Sequence, residues 1–221
     1  MTLPIITIDG PSGVGKGTLA QWVACKTGFH FLDSGAIYRA LAYGVLAEEL
    51  SVDSVAEITD LAQQLPVRFL ATSVFYAEQD ITAQIRTEAV AAIASQVAAI
   101  AQVREALLAR QRAFAQLPGL VADGRDMGTV VFPEAPLKLY LTASAEIRAQ
   151  RRVKQLKNQG IDANIPQIIQ DIVARDERDA TRKTAPLVAA QDAVMIDTTE
   201  LSIEAVCQQT ESLLWEKGFL S

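Results

Sequence analysis

Short apolar runs alternate with stretches in which apolar residues return every three or four positions, and this alternation repeats along most of the chain. Runs of the first kind fit strands covered on both faces of a parallel sheet, and stretches of the second fit the amphipathic helices that cover them. Ile5 to Asp9, Phe29 to Leu32, Leu120 to Asp123, Leu137 to Leu141 and Val194 to Asp197 read as five strands. The helix after the first carries Leu19, Trp22 and Val23 on one face and stops at Gly28. Ser34, after Asp33, caps the next, with Ile37, Leu41 and Val45 inward. Glu88 to Phe114 holds two helices, with Val103, Leu107, Arg110 and Phe114 at helical spacing. A closing helix from Ser202 aligns Ile203, Val206, Cys207, Leu213 and Leu214.

One segment breaks the pattern. Val67 to Leu70, Ser73 to Tyr76 and Asp80 to Thr82 read as short strands joined by tight turns, hence a small antiparallel insert in the α/β body. A second interruption, Lys157-Asn158-Gln159-Gly160 with Asn164 and Pro166, marks an exposed turn before a helix that buries Ile165, Ile168, Ile169 and Ile172.

The 221 residues suffice for one substantial core, and a chain that is 50% hydrophobic and 21% charged is compact and globular rather than disordered. A net charge of −6 argues against a protein that coats DNA or RNA. Cys25 and Cys207 have no metal-ligand spacing and read as small buried apolar residues. No run approaches a membrane span, so the expectation is a cytoplasmic protein without a membrane partner.

The strand Ile5 to Asp9 runs into Gly10-Pro11-Ser12-Gly13-Val14-Gly15-Lys16-Gly17-Thr18, a glycine loop ending in lysine. Gly10, Gly13 and Gly15 free the backbone to turn its amides around an anion, Lys16 adds a mobile cation, and a helix beginning near Lys16 aims its N-terminus at the same place. A nucleoside triphosphate is the natural guest. The hydroxyl comes one residue late, at Thr18, so Gly17 cannot hold a magnesium ion as the usual serine or threonine does. This version resembles nucleoside monophosphate kinases, which hold the metal mainly through water.

Two arginine clusters suit small anionic ligands better than a polymer: Arg148, Arg151 and Arg152, and Arg175, Arg178 and Arg182 with Asp179 among them. Neighbouring acids such as Asp176 leave salt-bridged surface as the plainer reading of Arg148 and Arg152. A strand ending in Asp123 beside a phosphate loop is where the water shell of Mg²⁺ is anchored, with Arg125 facing phosphate and Asp126 left to meet a substrate. His30, the only histidine, reads as a packing residue.

Gly-Pro-Ser-Gly-Val-Gly-Lys-Gly-Thr, Leu-Asp-Ser-Gly-Ala-Ile-Tyr-Arg, Ala-Ser-Gln-Val-Ala and Ala-Asp-Gly-Arg-Asp-Met-Gly-Thr-Val-Val-Phe-Pro together resemble bacterial cytidylate kinases. The resemblance implies a P-loop kinase fold, three-layer α/β/α with a parallel five-stranded sheet, an antiparallel insert in the monophosphate-binding region and a helical lid. It implies a single domain over 1–221, with a core of about 1–60, 100–150 and 190–221, an insert of about 61–99 and a lid of about 154–182. The implied activity transfers the terminal phosphoryl of ATP to CMP or dCMP with Mg²⁺, in a monomer without nucleic-acid partners.

By the same resemblance Lys16, Arg125, Arg178 and Arg182 are catalytic, and ATP meets Gly10 to Thr18 and Arg151. Ser34, Arg39, Arg125 and Arg182 surround the acceptor phosphate or the group in transfer; Ser95, Arg104 and Asp126 read cytosine; Arg175 and Asp179 take the ribose side. Two alternatives stand beside it: another small-molecule kinase, for UMP or AMP, and a nucleotide-binding switch without enzymatic activity. The switch lacks an Asn-Lys-x-Asp guanine reader.

Overall fold

The computed structural model describes residues 3–70, 73–158 and 164–220. In chain order its elements are β1 (Ile5–Asp9), α1 (Lys16–Thr27), β2 (His30–Asp33), α2 (Ser34–Ala47), α3 (Val55–Gln64), β3 (Val67–Leu70), β4 (Ser73–Tyr76) and β5 (Gln79–Asp80). There follow α4 (Glu88–Val97), α5 (Ala101–Arg112), β6 (Leu120–Gly124), β7 (Leu137–Thr142), α6 (Ala145–Asn158), α7 (Ile165–Ala180), β8 (Val194–Asp197) and α8 (Ile203–Glu216). The chain forms two compact units, one of residues up to 32 together with those from 114 onward, the other of residues 33–113. The second unit thus begins earlier and ends later than an insert of 61–99.

The first unit is built on a parallel five-stranded sheet in the order β2-β6-β1-β7-β8. Central β1 has partners on both edges and helices over both faces, so Thr7 and Asp9 are buried along with Ile6 and Ile8. Leu19 and Val23 of α1, Val121 of β6, Leu139 and Leu141 of β7 and Leu214 of α8 close the core around it. Gly28 ends α1 in the left-handed conformation (φ 69°), where a side chain would be strained.

In the second unit, Val67↔Tyr76 and Phe75↔Asp80 register a three-stranded antiparallel sheet. The third strand, Gln79–Asp80, begins one residue earlier and ends two residues earlier than the pattern suggests, and beyond it the Thr82 hydroxyl, not a strand carbonyl, accepts the Val74 amide. α2 packs on α4 and α3 on α5.

Several expectations need correction. Asp33, not Ser34, caps α2: its carboxylate accepts the Ala36 amide at 2.9 Å, while Ser34 is the first helical residue. α5 ends at Arg112, before Phe114. Cys25 is exposed, whereas Cys207 packs against the core. Ile165 is exposed and Ile168, Ile169 and Ile172 are only half-buried; the one buried residue of α7 is Asp179. His30 is exposed and its Nε2 lies 2.9 Å from the Leu117 carbonyl oxygen, so it is no packing residue. In the expected turn after α6, Gln159 and Gly160 lie outside the described residues.

Candidate active site

β1 ends at Asp9 and the chain turns at once through Gly10 to Gly15, with positive φ at Gly10 (143°), Gly13 (83°) and Gly15 (98°). At Gly10 a Cβ would run into the carbonyl oxygen of Leu141, and at Gly13 it would come within 3.2 Å of the Arg148 Cβ. Only glycine permits both the turn and the approach. α1 then starts at Lys16, and Gly15 before it offers no capping side chain.

Two arginines hold this loop from behind. Arg148, buried, donates to Ser12 O (3.3 Å), Ala143 O (3.1 Å) and the Asp176 carboxylate (2.5 Å). Arg151 donates to Val14 O (3.4 Å), Thr198 O (2.6 Å) and Thr198 Oγ1 (3.0 Å). In a trans peptide the N–H points opposite the C=O. Arginines on the carbonyls of Ser12 and Val14 therefore turn the amides of Gly13 and Gly15 the other way, toward an incoming anion. Sequence reasoning expected Arg151 on ATP; its donors go to the loop backbone and Thr198.

Lys16 is buried and donates to Pro11 O at 2.8 Å. Burial pushes its ammonium down to about 7, the Arg125 charge adds to this, and the Asp123 and Asp9 carboxylates oppose it. An anion placed there would restore the charged form. Asp123, at the end of β6, faces the loop: a Cβ on Gly17 would lie 3.4 Å from its Oδ2. The glycine after the lysine thus leaves room beside a buried carboxylate.

Past β6 the chain enters one π-helical turn, Met127–Val131. Asp126, buried, precedes it, and Arg125 beside it donates to the Asp179 carboxylate at 3.1 Å. The main chain of Asp179 in turn accepts Arg182 Nε (3.2 Å) and the Leu187 amide (2.8 Å). The end of α7 therefore gathers Arg125, Asp179 and Arg182, and Arg175, half-buried, contributes to the field at Lys16. Arg178 is exposed.

In the unit 33–113, the remaining expected residues converge on one set of helices. Ser34 donates to Gln111 Oε1 at 2.7 Å, and Arg39 to Ile85 O at 2.9 Å. Arg104, buried on α5, donates to Ala98 O at 3.1 Å and lies 5.6 Å from the Tyr38 ring centroid; Ser95 is buried on α4. Buried arginine and serine side chains cost stability unless something polar meets them.

Three residues escaped the sequence reading. Gln111 and Tyr38 sit at helical positions that read as core or surface. Asp9 reads as the polar end of a strand; it is 5% exposed, and its carboxylate accepts the Met127 and Gly128 amides, each at 2.8 Å. Its signal was a charge on a strand covered on both faces.

A glycine loop between the first strand and first helix of a parallel sheet, with a buried lysine and arginines gathered beside it, defines a P-loop phosphotransferase. The cytidylate kinase family model matches residues 6–214. The cytidylate kinase of Colwellia psychrerythraea (strain 34H) is 55% identical over 223 residues, covering 99% of this chain and 98% of that protein. That of Klebsiella pneumoniae (strain 342) is 52% identical, covering 97% and 96%; that of Aeromonas salmonicida (strain A449) is 54% identical, covering 92% and 90%. The chain belongs to the cytidylate kinase family.

Proposed function

We propose that the residues assembled above carry out one reaction, transfer of the γ-phosphoryl group of ATP to CMP or dCMP, giving CDP or dCDP and ADP. The observation that carries this reading is the family match over residues 6–214, which includes the whole loop from Gly10 to Thr18. The loop amides, Lys16 and the start of α1 receive the phosphates of ATP with Arg151 beside them, while Arg148 and Arg151 also brace the loop from behind.

The acceptor is a phosphate monoester with a second pKa near 6, mostly dianionic at neutral pH, so no general base is required. The work is to bring two anions into line and to neutralise the group in transfer. Lys16, Arg125, Arg178 and Arg182 take that role. Ser34 and Arg39 serve the acceptor phosphate with Arg125 and Arg182, and Arg175 and Asp179 serve the ribose. Ser95, Arg104 and Asp126 read the base. Cytosine offers an amino donor at N4 and acceptors at N3 and O2, which a carboxylate and cationic or hydroxyl donors complement; uracil would set its O4 against Asp126.

Asp123 fits a magnesium ion that arrives with ATP. Its carboxylate is buried beside side-chain-free Gly17, and no group of three His, Cys, Asp or Glu among the described residues could hold a metal by itself. Such an ion supplies charge neutralisation on the phosphates and draws its other ligands from them and from water. The segment 154–182 serves as the lid that keeps water from ATP. Among the described residues no single helix is long and apolar enough to cross a membrane. A cytoplasmic monomer completes the reading, and the acidic net charge of −6 supports small nucleotides over a nucleic-acid polymer.

Titration calorimetry on folded protein tests the reading. ATP and CMP should each bind; heat from neither would contradict it.

A further inference from the structure

We propose that Asp9 is a positioning residue for Asp126, so that a carboxylate on the phosphate-loop strand governs discrimination between nucleobases. The proposal rests on the reading of Asp126 as a cytosine contact.

Asp9 closes β1, the central strand, held in register to Gly124 of β6 on one side and Tyr140 of β7 on the other. An anchor there is rigid. Its two carboxylate oxygens divide two donors between them: Oδ1 takes the Met127 amide and Oδ2 the Gly128 amide, both at 2.8 Å. These are the two amides that follow Asp126. On its other side the Asp126 carbonyl accepts the Val130 amide (2.9 Å) and the Val131 amide (3.2 Å), and Phe132 N donates to Met127 O at 2.7 Å. Asp126 itself has φ −146° and ψ 25°, outside the helical region. Its backbone is therefore clamped twice, by the π-helical turn and by Asp9, and the direction of its side chain follows from that clamp.

The packing around the clamp leaves no slack. A Cβ on Gly128 would stand 2.8 Å from Thr7 Oγ1, 3.2 Å from Lys138 Cδ and 3.3 Å from Asp9 Oδ2. Only a carboxylate fits the donor pair: an asparagine in its place turns an NH₂ toward one of the two N–H groups, leaving a buried donor unmatched.

The test compares wild type with Asp9→Asn and Asp126→Ala, measuring kcat/KM for CMP and for UMP and KM for ATP. In Asp9→Asn the CMP over UMP preference should fall by about tenfold, mainly through KM for CMP, with KM for ATP within about twofold. The double variant should lose no more preference than Asp126→Ala alone, because both changes act through one group. Unchanged preference in Asp9→Asn alongside a collapse in Asp126→Ala overturns the present proposal and leaves the base-reading assignment standing. Unchanged preference in Asp126→Ala overturns that assignment first. A change in Asp9→Asn confined to KM for ATP would give Asp9 to Lys16 instead and also overturns the proposal. If Asp9→Asn does not fold, Gly128→Ala disturbs the same clamp from its other side, and retained preference there counts against it equally.

Discussion

Arg125 and Asp179 lie 54 positions apart and meet as an ion pair, Nε to Oδ2 at 3.1 Å, with the carboxylate 6% exposed and the guanidinium 20%. A pair this sheltered holds an arginine in one orientation more firmly than an exposed one would. Asp179→Ala should lower kcat/KM for CMP by about tenfold or more while KM for ATP stays within about twofold. Steady-state kinetics with each substrate varied in turn checks this. Equal losses toward both substrates would mean that Arg125 does not depend on the pair.

Lys16 carries a cost when the site is empty, since burial holds its folded pKa near 7 against 10.5 in the unfolded chain. Between those values the unfolded state binds more protons, so this cost is full below about pH 7 and fades as pH rises toward 10.5. Lys16→Met should therefore lose activity by about a thousandfold or more, yet raise the stability of the empty protein by about 1 kcal/mol or more at pH 6. The gain should shrink by pH 9. Denaturant melts at both pH values, beside an activity assay, decide it.

Asp9 shows the opposite sign. Burial, partly offset by the Gly128 and Met127 amides, pushes its carboxyl from 3.8 up to about 6. The folded state then holds the proton more tightly than the unfolded one, and the stability this lends is complete below about pH 4 and lost as pH rises through 6. The advantage of wild type over Asp9→Asn should thus narrow by about 2 kcal/mol between pH 4 and pH 7. Melts across that range would contradict the assignment if the difference were flat.

Arg148 connects Ser12, Ala143 and Asp176, joining the phosphate loop to α7. Arg148→Ala should destabilise the fold by about 3 kcal/mol, since it leaves the Asp176 carboxylate without its cation, and should raise KM for ATP more than KM for CMP. Arg151→Ala should raise KM for ATP as well, through the Val14 carbonyl. Thermal melts and kinetics measure both effects.

Where physics is local, the sequence alone announced the structure. The glycines at 10, 13 and 15, the lysine at 16 and the apolar strand before them sit within a dozen residues, and the loop has positive φ at all three glycines. The parallel five-stranded sheet and the antiparallel insert follow from patterning and from the family resemblance, whereas the strand order β2-β6-β1-β7-β8 is a matter of tertiary contacts that only the fold supplies. The misses depended on side-chain directions or on distant partners. The Asp33 cap needed the direction of the Asp33 side chain, and the Asp9 clamp joins residues 118 and 119 positions apart. The contacts of Arg151 with Val14 and Thr198, 137 and 47 positions away, likewise come from the fold and not from spacing. The α7 isoleucines have a helical stripe, but periodicity says which face is apolar, not how deeply it is covered.

The reaction at this site passes a phosphoryl group from ATP to a cytidine monophosphate. ADP release measured with ATP and Mg²⁺ against CMP, dCMP, UMP and AMP tests it most directly. CMP and dCMP should each drive ADP formation well above the rates with UMP and AMP. ADP release independent of any acceptor, or faster with UMP or AMP than with CMP, would contradict the account.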